Sequence, residues 1–174
     1  MKIARVALFS AVAGAMALAA PSTVSAQAIV GVHGTLADVR DVSPGIGASL
    51  GFLRPTRSGA DVGIDVTGTY YFPSCTGFDC DAWGAQAVLV GARPLGGRAR
   101  TYVGIGAKYV EVTGSNGTGS TTGDAWGLVV QFGSSYLTES AIRPYFEFGW
   151  GFMDSSADIW ELRLGLRAIL GGSR

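Results

Sequence analysis

Polar and apolar positions alternate along most of this chain, most regularly near its C-terminal end. Between residues 158 and 170, Trp160, Leu162, Leu164 and Leu166 share one parity, while Glu161, Arg163, Gly165 and Arg167 share the other. A period of two belongs to an extended strand with one apolar and one polar face. Read this way, the chain predicts eight strands and no helix, over 28–37, 45–53, 60–72, 82–93, 100–112, 123–135, 142–152 and 158–170. The apolar parity holds Val30, Val32, Leu36, Ile46, Leu50, Phe52, Val62, Ile64 and Leu89, and later Val103, Ile105, Leu128, Val130, Phe146 and Phe148. The opposite parity holds His33, Thr35, Asp65, Thr67, Gln86, Lys108, Gln131, Arg143, Glu147, Glu161, Arg163 and Arg167, with glycines between them.

These segments match the roughly 9–11 residues that a tilted strand needs to cross a bilayer. Eight is an even number, as single-chain bacterial barrels require. The fold expected is therefore all-β: an eight-stranded, antiparallel, up-and-down transmembrane barrel with a filled polar interior. A barrel of this size is just wide enough for its own side chains to fill it. The connections after the first, third and fifth strands (38–44, 73–81 and 113–122) read as longer than the even ones (54–59, 94–99 and 136–141), although 153–157 is short. Long outer loops and short periplasmic turns mark such barrels. Aromatic residues gather near strand ends (Tyr70, Tyr71, Phe72, Trp83, Tyr109, Trp126, Tyr136, Trp150 and Phe152), as interfacial girdles do.

Composition points the same way. Charged residues make up 15% of the chain, against about 25% in an average protein. Glycine accounts for 27 of 174 residues, more than twice its usual share of about 7%. A soluble all-β domain would need more charge on its outside. The first 26 residues read as a cleaved Sec signal peptide: basic Lys2 and Arg5, an apolar run from Val6 to Ala20, and a small-x-small site at Val24-Ser25-Ala26. The barrel domain then spans 27–174. Removing Lys2 and Arg5 leaves 11 bases against 13 acids, a net charge of −2, and nothing suggests a nucleic-acid partner.

Tyr102-Val103-Gly104-Ile105-Gly106, and the stretch from Arg143 to Gly151, resemble the strand starts of the small, porin-like outer-membrane β-barrels of Gram-negative bacteria. The last strand resembles the family's assembly signal: a polar residue, a glycine, then spaced hydrophobics, here Arg163, Gly165, Ala168 and Leu170. The family usually ends on an aromatic residue, whereas this chain continues Gly-Gly-Ser-Arg after Leu170. The resemblance implies outer-membrane location, contact with outer-membrane lipids, and delivery by the barrel-insertion machinery.

Little in the chain suggests chemistry. Cys75 and Cys80 are the only cysteines, and an even pair in an exported protein predicts a disulfide. The lone histidine, His33, reads as a polar residue of the interior. A lipid A-modifying barrel would need a histidine or serine site that reaches lipid. The inner charges Asp65, Lys108, Arg143, Glu147, Glu161, Arg163 and Arg167 are nearly balanced, which suggests salt bridges across the lumen. Acids gather at one proposed end (Asp38, Asp41, Asp79, Asp81, Asp124, Asp154 and Asp158, with Arg40), and arginines at the other (Arg54, Arg57, Arg93, Arg98, Arg100 and Arg143, with Asp61 and Glu139). Asn116-Gly117-Thr118 reads as a turn. No cofactor, metal or catalytic site is expected. The role expected is structural, or interaction through surface loops with a ligand the sequence does not name. The alternatives are a narrow pore, a lipid A-modifying enzyme and a soluble exported ligand-binding barrel.

Overall fold

The computed structural model describes residues 27–39, 41–95, 98–115, 119–138, 140–154 and 157–170. Residues 1–26, expected to be a signal peptide, Arg40, Gly96, Gly97, residues 116–118, expected to be a turn, Glu139, Ser155, Ser156 and the C-terminal Gly-Gly-Ser-Arg lie outside these residues. Eight strands run in chain order: β1 (Gln27–Asp38), β2 (Val42–Pro55), β3 (Asp61–Tyr71), β4 (Asp79–Pro94), β5 (Ala99–Ser115), β6 (Ser120–Tyr136), β7 (Ile142–Met153) and β8 (Ile159–Leu170). Each pairs antiparallel with its neighbours in sequence, and β8 returns to β1, closing the barrel. Closure pairs Ala28 with Leu170 and Ala37 with Glu161, so no strand edge is left within the wall. Closing the sheet on itself in this way removes the edges that invite aggregation.

Side chains alternate across the wall as the period of two requires. Leu89 and Val103, both on the apolar parity, are 63% exposed on the outer surface. Glu147 and Glu161, on the other parity, are 1% exposed inside. Exposed outer positions on all eight strands are large and apolar, from Val32 on β1 to Leu166 on β8. A continuous apolar surface of this extent marks contact with a membrane or a partner rather than with water.

The connections differ from the expected long-and-short rhythm. They occupy only 39–41, 56–60, 72–78, 95–98, 116–119, 137–141 and 154–158, so the odd ones are not systematically longer. Segments that read as loops are instead strand. Ser43 and Pro44 belong to β2, whose tight 39–41 turn is held by Ser43 Oγ donating to the carbonyls of Val39 and Asp41 (3.1 Å each). Asp41 takes a left-handed φ of 110° there, a conformation that Asp tolerates better than most residues. Strands β5 and β6 run on through 113–115 and 120–122, where Thr113 and Thr122 face each other with their hydroxyls 3.1 Å apart. Threonine is a good strand former, and a hairpin needs only one partner. The β6–β7 ladder begins at Gly127 and Met153, so β4, β5 and the start of β6 rise above the rim as a projecting sheet. Asp154 closes the corner, its N–H donating to Trp126 O (2.7 Å) and its carboxylate accepting from Trp126 N–H (2.9 Å). We call this the hairpin end. The terminal end, where β1 starts and β8 finishes, has only short turns.

Candidate functional site

The lumen is layered. Toward the hairpin end it is filled by Ala37, Val39, Tyr71, Ala82, Val110 and Ile159. Toward the terminal end it is filled by Ile29, Leu53, Val88, Val90, Ala92, Tyr102 and Val129. Between the two apolar clusters lies a connected set of buried charges. Lys108 Nζ and Arg163 Nη2 both donate to Glu161 Oε2 at 2.5 Å. Arg163 Nη1 donates to Glu147 Oε1 (2.6 Å), and Arg167 Nη2 to Glu147 Oε2 (3.0 Å). Neutral donors fill the remaining carboxylate positions: Thr35 and Tyr71 on Glu161 (3.0 and 3.2 Å), and Tyr102 on Glu147 (3.0 Å). Gln86 accepts from Arg163 (2.8 Å) and donates to Gln131 (2.7 Å). Removing charges from water is costly unless each is paired and its other lone pairs are used. Here both glutamates meet that condition.

Glycine makes the network possible. A Cβ at Gly133 would lie 2.5 Å from the Tyr102 hydroxyl, and one at Gly31 would lie 3.1 Å from Arg167 Cγ. Arg167 lies over two rings, 4.7 Å from the centre of Tyr102 and 3.9 Å from that of Tyr145. A guanidinium over an aromatic face gains about 0.5–2 kcal/mol, more when desolvated.

Of the seven inner charges expected from sequence, five (Lys108, Glu147, Glu161, Arg163 and Arg167) are brought into this one network. Asp65 is buried on β3, accepts from Thr67 (2.9 Å), and makes no ion pair among the described residues. Arg143 stands on β7 directly opposite Arg167 on β8 and has no carboxylate partner among the described residues. Arg100, which sequence placed in a solvated turn, is 8% exposed on the inner face of β5 and pairs with Asp61. Arg100, Arg143 and Arg167 line one small cavity at the terminal end, together with Asp65, Gln131 and Ser135.

The tyrosines need one correction. Tyr71 does not join the outer girdle. It is 1% exposed inside the barrel, on the parity of Asp65, Thr67 and Thr69. Tyr102 and Tyr145 also point inward, and the same parity would have placed all three. The outer belt does contain Trp83, Tyr109 and Trp126 as a row of mutually tilted rings (5.2 and 4.7 Å between centroids). Several belt rings donate to acids: Tyr70 to Asp81, Tyr109 to Glu111 (2.8 Å), and Trp150 to Asp158 (3.2 Å).

His33 is 5% exposed, with its Nε2 3.3 Å from the Thr69 hydroxyl inside the wall. Cys75, in the β3–β4 connection, forms a disulfide with Cys80 at the start of β4. On the last strand, Arg163 and Gly165 face inward while Ala168 and Leu170 face outward, opposite Val30 and Ala28 of β1. Arg163 therefore serves the interior network, whatever it also does during assembly. Among the described residues no cluster of three His, Cys, Asp or Glu could hold a metal ion.

A closed eight-stranded antiparallel barrel is the architecture of small outer-membrane barrels, and solved structures share its fold. Ail, the attachment invasion locus protein of Yersinia pestis, matches over 86% of this chain and 100% of its own, with a TM-score of 0.65 and 12% identity. The N-terminal β-barrel domain of Pseudomonas aeruginosa OprF matches over 83% of this chain and 97% of its own, at 0.66 and 14%. Neisserial surface protein A matches over 82% and 96%, at 0.58 and 13%. No family model matches the chain, and no curated protein matches it in sequence.

Proposed function

We propose that this chain is a non-catalytic outer-membrane barrel that meets other molecules through the sheet projecting at its hairpin end. One observation carries the reading: an unbroken apolar exterior surrounds a lumen that side chains close. Only a closed barrel lets strands cross lipid with every backbone group satisfied. The signal-like N-terminus and the outer-membrane origin of the matching structures support export by the Sec pathway to the outer membrane, with its lipids as the first partners. The outward pair Ala168 and Leu170 on the closing strand suits recognition by the insertion machinery.

Two features favour a plug over a narrow pore: an apolar layer at each end of the lumen, and a central network in which every glutamate oxygen already accepts a hydrogen bond. Single-channel recording in planar bilayers tests this, and the expected result is no discrete conductance. His33 argues against a lipid-modifying enzyme, because it is buried with Thr69 inside the wall, away from the lipid face. Activity on lipid A in purified outer membranes would overturn the non-catalytic reading.

The hairpin end carries exposed Asp41, Asp79, Asp81, Asp124, Asp154 and Asp158. Ail has been solved in complex with sucrose octasulfate, a heparin analogue. A polyanion of that kind would be repelled here, so the chemistry expected of a surface partner is cationic. The exposed Arg54, Arg57, Arg93 and Arg98 stand at the other end, where guanidinium groups can bond phospholipid phosphates. Two single-cysteine additions test location and orientation together, since Cys75 and Cys80 are already paired. A membrane-impermeant maleimide should label T121C on intact cells, and S58C only after the outer membrane is opened. The reverse pattern would invert the barrel. Failure of the membrane-fraction protein to shift mobility on heating in a denaturing gel would remove it from the membrane.

A further inference from the structure

The central network and the terminal end of the lumen differ in charge balance. Among the described residues the interior holds five bases (Arg100, Lys108, Arg143, Arg163 and Arg167) and four acids (Asp61, Asp65, Glu147 and Glu161). One positive charge is left over. It falls at the terminal end, where Arg143 has no acid partner among the described residues and faces Arg167 across the β7–β8 ladder. Like charges directly opposite in a sheet destabilise it, so this pairing needs a compensating contact.

Three further observations converge on that place. Arg100, Arg143 and Arg167 come from three different strands, β5, β7 and β8, yet line one cavity. The Nε of each is buried and without a hydrogen-bond partner, and Arg100 and Arg167 are themselves more than nine-tenths buried. Buried donors of this kind are almost always satisfied. Residues near the strand ends, Ile29, Leu53, Ala92, Ser135 and Ile169, line the same cavity, so it lies at the mouth of the barrel rather than in its centre. The Ser135 residue stands opposite Arg100 in the β5–β6 ladder and offers a hydroxyl.

We infer that this cavity is a binding site for a phosphate group. Guanidinium groups arranged around one space suit a tetrahedral oxyanion, since each planar fork matches two oxygens at once. Asp65 lines the same cavity from β3 and opposes the anion, but its Oδ1 already accepts from Thr67. Asp61 and Glu147 neutralise Arg100 and Arg167 in part, leaving Arg143 as the charge the ligand balances. The phosphate could be free inorganic phosphate or the headgroup of a lipid lying against the barrel mouth. The inference does not depend on which way the barrel faces, or on the proposed surface role.

The test uses the whole mature chain refolded in dodecyl maltoside micelles, which contain no phosphate. Thermal unfolding is followed against inorganic phosphate, against chloride at matched ionic strength, and against dihexanoyl phosphatidic acid. The expected result is a saturable rise in midpoint with phosphate that chloride does not give. A response to both phosphate compounds assigns the free ion. A response to the lipid alone assigns the headgroup. Arg143→Gln should weaken the response at least tenfold, while Arg54→Gln at the exposed turn should leave it unchanged. No saturable effect of either phosphate compound on the wild type, or an equal effect in R143Q, overturns the inference. If R143Q does not refold, line broadening of the ³¹P signal of inorganic phosphate by the wild-type protein, reversed by excess sulfate, supports the site. Its absence, together with no effect of the lipid on thermal unfolding, refutes it.

Discussion

Two groups of charged side chains share the lumen of this barrel, and they are built on different terms. In the centre, Glu147 and Glu161 are held by Lys108, Arg163 and Arg167, with hydroxyls from Thr35, Tyr71 and Tyr102 on the remaining oxygens. At the terminal end, Arg100, Arg143 and Arg167 converge on a cavity, with Nε groups that no described residue meets. In the central group every glutamate oxygen already accepts at least one donor, and Arg163, whose Nε is also unmet, does not line the terminal cavity. The terminal group has donors to spare. The difference separates charge that holds a fold together from charge that can receive a ligand. Counting charged residues in the interior would not draw that line.

The largest expected effect breaks the central group. Glu161→Gln removes the charge shared by Lys108 and Arg163 and leaves both buried cations undercompensated. Removing one partner of a buried network costs about 3–5 kcal/mol. Urea titration of refolding into liposomes measures it, and a loss below about 1 kcal/mol would mean that water reaches this layer. That result would reopen the reading as a pore.

A second change tests whether the interior is interior because lipid lies outside. Leu164 is exposed near the middle of β8. Leu164→Arg should cost about 2–4 kcal/mol in a bilayer, the range for a cation at the midplane. The same urea titration reads it. A neutral outcome would put water on the apolar face, and the contrast between the two groups would lose its low-dielectric setting.

How much of this was legible beforehand depended on distance along the chain. Which side of the wall Leu164 and Arg163 face follows from adjacent residues, because the side-chain period is two. Which residue meets Lys108 does not. Its partner Glu161 lies 53 positions away, and the meeting depends on how each strand is shifted against the next around the whole barrel. Parity placed both inside but could not set their height. Sequence places Tyr71 in the girdle because it sits between Tyr70 and Phe72, and three aromatic residues in a row suggest one belt. The alternation running from Asp65 through Thr67 and Thr69 carries it inward instead. The ends of β5 and β6, 113–115 and 120–122, read as a loop from sequence because threonine, glycine and serine dominate there. Those residues read as turn when local preference is weighed alone. They pair as strand because each faces a partner across the hairpin. Arg100 and Asp61 read as separate charges of the short turns, and the register of β3 and β5 on either side of β4 brings them together.

The smallest expected effect is also the sharpest test of the comparison. Arg143→Gln removes a charge from the lumen, as Glu161→Gln does, and a count of buried charges would give the two changes similar costs. The contacts predict opposite signs. Arg143 makes no ion pair among the described residues and stands opposite Arg167. In phosphate-free buffer its removal therefore relieves a like-charge pairing and should stabilise the barrel slightly, by about 0.2–1 kcal/mol. Glutamine keeps most of the side chain's length, so little packing is lost. Added phosphate should erase this advantage, because only the wild-type cavity gains from the ligand. Ligand binding to the folded state raises stability by an amount that grows with the logarithm of concentration, so the two stability curves should cross as phosphate increases. Parallel curves would show that Arg143 is no more available than the charges at the centre, and the distinction between the two groups would fail at that residue.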